Sequence, residues 1–169
     1  LQQLPIRRQA GYRLGVRAIF GDQADELLKL FPAGSDAGVS EALDRLVTVS
    51  AFVAPARAAA LSMSGVKSPA YVYHFTRVPG NERSKRLGAF HGLEVVYVFG
   101  NLPGVGFDQA DKSLSAAMMA YWTRFAETGN PNRLSGGSPA APDWPAFEAG
   151  AERYMELGDV PQAKAGLYK

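Results

Sequence analysis

Two histidines, His74 and His91, are the only side chains in this 169-residue sequence whose ordinary pKa suits proton transfer near neutrality. Their settings differ. His91 lies in Gly88-Ala89-Phe90-His91-Gly92-Leu93-Glu94, where the glycines let the backbone turn sharply and leave room beside the ring. An imidazole on such a loop can project into a cleft, as a general base must. His74 lies within Tyr71-Val72-Tyr73-His74-Phe75, where aromatic residues alternate with smaller or polar ones, and it reads as a strand residue with a structural role. Glu94 either orders the histidine loop or binds water near the site, or is simply an acid favoured in the first turn of a helix. Phe90, Leu93 and Tyr97 are candidates for a substrate-cleft wall, although packing residues would look no different. Cysteine is absent, so disulfides and thiolate metal sites are excluded, and with two histidines no metal site or cofactor is expected.

The elements that must position these residues follow from periodicity. Gly11–Phe20 spaces Tyr12, Val16, Ile19 and Phe20 as a helix does, and Gly21 stops it. Asp22 is expected to cap a second short helix carrying Ala24, Leu27, Leu28 and Phe31, ended by Pro32. Ser40–Ser64 reads as largely helical around Pro55. Tyr71–Phe75 reads as a strand, Val78–Arg86 as a charged, solvated loop, and Leu93–Phe99 as a short helical or irregular turn with Val96, Tyr97 and Phe99 inward. Asp108–Thr128 is the clearest helix, since Leu114, Ala117, Met118, Tyr121, Trp122 and Phe125 form one apolar stripe. Gly129 and Pro131 end it. Residues 134–142 read as turns, Trp144-Pro145-Phe147 as an aromatic clasp, Arg153–Leu157 as an edge strand and Asp159 onward as a tail. The first ten residues read as a poorly ordered entry. Residues 1–169 are expected to be a single unit, without a repeat or a second domain.

Composition narrows the function classes. With 47% hydrophobic and 20% charged residues the chain is an ordinary globular sequence. Its 18 basic and 16 acidic residues are spread along it, so no basic stripe suggests nucleic acid, and no long apolar run suggests a membrane span. No signal-peptide pattern is present, and the compartment stays open.

Three blocks, Tyr71–Phe75, Gly88–Glu94 and Tyr121–Asn132, together with Asp143–Phe147 and Tyr154–Gly158, resemble in order and spacing the C-terminal third of the type-B carboxylesterases. These are the α/β-hydrolases that include the para-nitrobenzyl esterases and cholinesterases. The resemblance runs from about Tyr12 to about Asp159. It implies an α/β fold, the helix-rich C-terminal portion of an α/β-hydrolase with a few sheet strands, in which Tyr71–Phe75 is a central strand. It implies that His91 is the catalytic histidine and that Glu94 matches a glutamate the family often carries. The substrate implied is a small-molecule carboxylic ester.

In α/β-hydrolases the chain order is serine, acid, histidine. The Gly34-Ser35-Asp36-Ala37-Gly38 turn has the wrong spacing for Gly-x-Ser-x-Gly, and no other serine has an elbow context. Asp36, Glu41 and Asp44 precede His91 but none follows a strand-like run. Nucleophile, acid and oxyanion donors are therefore expected upstream, the N-terminal part of the same protein is the expected partner, and this chain alone should be inactive. Self-association is an alternative way to cover its apolar surface. A non-catalytic, cholinesterase-like adhesion module is the rival reading, because such proteins share the fold and have lost catalysis.

Overall fold

A computed structural model describes residues 6–132 and 141–167. Much of the expected poorly ordered entry and most of the turn-rich stretch at 134–142 lie outside the described residues. The chain divides into two compact units, Leu1–Ala59 and Ala60–Lys169.

The first unit is helical. Helix α1 is Gln9–Phe20 and α2 is Ala24–Leu30. Asp22 does not cap α2; it sits inside a 3-10 turn, Gly21–Gln23, that leads into the helix. Tyr12, Val16, Ala24, Val39, Ala42 and Leu46 pack together as the core of this unit. The Tyr12 hydroxyl donates to the Phe31 carbonyl at 2.8 Å, satisfying the polar tip of an otherwise buried ring. Ile19, at the same helical spacing, is exposed. Asp36 accepts the Gln9 backbone N–H at 2.8 Å, and Ser35 accepts that of Gly38; both are turn and cap residues.

Helix α3, Val39–Thr48, runs into a π-helical turn at Val49–Val53 and then α4, Ala54–Ser62. Pro55 explains the widened turn: it has no N–H for the Ala51 carbonyl, and its ring crowds that carbonyl. The helical run Val39–Gly65 has the length and the mean hydropathy, 1.5 over its best window, to cross a membrane by length and composition alone. The sequence reading did not anticipate such a run.

The second unit carries the sheet. Strand β1 is Tyr73–Phe75, β2 is Arg153–Leu157 and β3 is Pro161–Ala165. Their order is β1-β2-β3, with β1 parallel to β2 and β2 antiparallel to β3. Arg153–Leu157 is thus the middle strand of the three, not an edge, and the expected tail supplies the third strand. Residues 161–165 carry no β-branched or aromatic side chain, so propensity hides a strand that exists by backbone pairing with its neighbour. Met155 and Leu157, on one face of β2, are fully buried against Leu93, Tyr97, Leu114, Met118, Tyr121 and Trp144.

Helix α7, Gln109–Thr128, covers that core. Asp108 and Asp111 close its N-terminus as a reciprocal capping box, and Gly129 ends it in the left-handed conformation at φ 73°. Phe125, at the far end of the expected stripe, is half exposed. The Trp144 clasp docks as expected: its indole N–H donates to the Val72 carbonyl at 3.0 Å, and its ring meets Tyr71, Tyr73, Tyr121 and Trp122. Within the expected charged loop, Glu82–Leu87 forms helix α5, because Asn81 caps the Ser84 N–H at 2.9 Å and Lys85 and Arg86 sit in its last turn.

Candidate functional site

His91 is exposed on a turn between α5 and α6, and α6 is Glu94–Val98. Gly88 and Gly92 both take positive φ, 68° and 88°, a conformation that L side chains rarely adopt. The turn is closed from within. The Leu93 N–H donates to the Phe90 carbonyl at 3.0 Å. The Gly92 N–H donates to a Glu94 carboxylate oxygen at 3.0 Å. Glu94 thus accepts a turn N–H while standing in the first turn of α6.

The other candidates lie around this turn. Leu93 is buried in the core cluster. Phe90 is half buried against that core, and the Arg83 guanidinium lies 5.0 Å from its ring centroid, within cation–π range. Burial, and secondarily the Glu94 carboxylate, push the Tyr73 hydroxyl above its ordinary pKa. His74 is elsewhere, paired in register with Glu156 across β1 and β2. Burial lowers its pKa, Glu156 opposes that shift and Lys164 adds to it. Among the described residues no cluster of His, Cys, Asp and Glu could hold a metal.

The polar centre of this unit is a residue set the sequence reading passed over. Arg77, two residues past β1, is buried. Its guanidinium donates to both carboxylate oxygens of Asp111, at 2.6 and 3.0 Å, to Asp108 at 2.9 Å and to Asp159 at 2.6 Å. Tyr97 on α6 donates its hydroxyl to Asp111 at 2.6 Å, and Ser115 on α7 donates to the Tyr97 carbonyl at 2.8 Å. Burial alone would raise the Asp111 carboxyl, but hydrogen bonds from Arg77 and Tyr97 outweigh it and bring the group down to about 2. Tyr97 was expected as an inward packing residue or a cleft-wall candidate, and Phe99, expected inward beside it, is 69% exposed. The Asp108-x-x-Asp111 spacing at the head of a periodic helix was the one available signal, since it matches a capping box.

A model of the carboxylesterase family matches residues 23–169. The chain is 33% identical to the fumonisin B1 esterase of Sphingopyxis macrogoltabida over 175 aligned residues, covering 98% of this chain and 31% of that protein. It is 38% identical to human carboxylesterase 3 over 57% of this chain and 18% of the relative. Human neuroligin-2 is 33% identical over 70% of this chain and 16% of its own length. The chain thus spans less than a third of each of these relatives. With the family model covering most of its length and identity above 30% to an esterase along nearly all of it, this chain belongs to the carboxylesterase family.

Proposed function

We propose that this chain supplies the general base of a serine carboxylesterase, and that His91 is that base. The observation that carries the reading is local: an exposed histidine on a turn flanked by two positive-φ glycines and tied by Glu94, in a chain of the carboxylesterase family. In this reading the His91 imidazole takes the proton of an upstream serine hydroxyl as its oxygen attacks the ester carbonyl. The imidazolium then returns the proton to the leaving alcohol as the tetrahedral intermediate collapses to an acyl-enzyme. In the second half-reaction His91 takes a proton from water as the water oxygen attacks the acyl carbonyl. The acyl–serine bond then breaks, the imidazolium returns that proton to the serine oxygen, and the acyl group leaves as a carboxylic acid. Nucleophile, oxyanion donors and triad acid are assigned to upstream sequence, and the substrate to the class of small-molecule carboxylic esters.

The similarity to neuroligin-2 favours one second reading, a binding module without catalysis. An elbow serine upstream supports the enzyme; its replacement supports the module. Steady-state hydrolysis of a short-chain nitrophenyl ester by the protein extended with that upstream part separates the roles of the histidines. His91→Ala should lower kcat/KM by roughly 10²–10⁴-fold, the usual worth of general-base assistance. His74→Ala should stay within a few-fold of wild type. Equal losses would remove the basis for assigning His91.

A further inference from the structure

We propose that Arg77, Asp111 and Tyr97 form a relay that fixes the orientation of the His91 turn, so that each acts as a positioning residue for the base. The proposal rests on the reading of His91 as that base. Helix α6 has five residues and no side-chain N-cap, far too few to hold itself as an isolated helix. Its attitude must come from what it touches. Tyr97 is fully buried and is gripped twice by the neighbouring helix, at its hydroxyl by Asp111 and at its carbonyl by Ser115.

The grip reaches the histidine over a short path. Val95 donates its N–H to the Gly92 carbonyl at 3.3 Å, Gly92 donates to Glu94, and Leu93 donates to Phe90. The turn and α6 are thereby one hydrogen-bonded unit, with His91 inside it. At the other end of the relay, the Arg77 guanidinium meets both oxygens of Asp111. That two-point contact fixes the carboxylate plane, and so the direction in which it accepts the Tyr97 hydroxyl. Arg77 lies two residues past β1, while Asp111 lies in the first turn of α7. The relay therefore references the histidine turn to both the sheet and the longest helix. A misplacement near 1 Å of a catalytic group can cost on the order of 10²-fold in rate, so the set of this unit bears on catalysis as well as on stability.

The test uses the extended protein and separates kcat from KM. Tyr97→Phe removes one hydroxyl and keeps the ring; kcat should fall roughly tenfold with KM within about twofold, measured well below the melting temperature. Gly129→Ala, at the far end of α7, should lower the melting temperature and leave kcat unchanged. A Tyr97→Phe protein with a lowered melting temperature and wild-type kcat would overturn the relay. If Tyr97→Phe cannot be purified folded, Ser115→Ala removes the second grip and is read the same way: reduced kcat supports the relay and unchanged kcat overturns it. An inactive His91→Ala beside a fully active Tyr97→Phe rejects the relay alone, whereas an active His91→Ala rejects the base and the relay together.

Discussion

At the scale of single residues, the proposed base and the buried Arg77–Asp111 pair are disclosed unequally by the sequence. His91 is conspicuous because its glycine flanks change what the backbone can do, and both glycines do take positive φ. Arg77 and Asp111 are inconspicuous because a lone arginine after a strand and an aspartate at a helix start look like surface charge. Only the fold brings them together, with Asp111 fully buried. Removing one partner of such a pair strands a buried charge. Asp111→Ala should therefore destabilise by roughly 3–5 kcal/mol. Asp159, 79% exposed at its side chain, should cost under about 1 kcal/mol when changed to alanine. Urea unfolding of both variants checks this; comparable losses would mean that Arg77 does not depend on its buried partner. The sign of the pH dependence follows as well. Asp111 is depressed to about 2 in the folded state, against ~3.9 for an ordinary aspartate. Its contribution is complete above pH ~4 and disappears as pH falls toward about 2. Asp111→Asn should flatten that part of the acid-unfolding curve followed by circular dichroism, and an unaltered curve would contradict the assignment.

At the scale of elements, legibility followed side-chain pattern. Helix α7 could be read because its apolar residues recur at three and four and its ends carry caps. Strand β3 could not, because Pro161–Ala165 forms by hydrogen bonding to β2 and exposes nearly all its side chains. Helix α5 was hidden by its charge, its start resting on one Asn81 cap. That cap has a second support. Gly106, at φ 77°, lies so close to Asn81 that an added Cβ would sit 2.6 Å from the Asn81 Cβ and 2.8 Å from its backbone. Gly106→Ala should therefore destabilise by at least about 2 kcal/mol, through both left-handed strain and overpacking. It should also raise amide exchange across 81–88. An alanine variant of wild-type stability would show that this loop and α5 yield freely.

At the scale of the whole molecule, the described residues leave surface that asks for cover. Strand β1 has one strand partner, β2, among the described residues. Phe52, Val95, Phe99 and Val105 are exposed, and the Val39–Gly65 run is largely unburied. The resemblance anticipated a central strand with neighbours on both sides; among the described residues one neighbour, β2, is present. The proposed upstream part of the hydrolase is one cover and self-association is another. Sedimentation of the purified chain should show self-association at micromolar concentration. A monomer with a sharp cooperative melt and no dye binding would mean that this surface needs no cover.

The central claim, a base here and a nucleophile elsewhere, is tested most directly by covalent labelling with a fluorophosphonate, followed by intact and peptide mass. The account predicts no adduct on the 169-residue chain. It predicts one phosphonyl group on the extended protein, at a serine outside residues 1–169, with labelling strongly slowed by His91→Ala. An adduct on any serine within these residues, or wild-type labelling of His91→Ala, would contradict it.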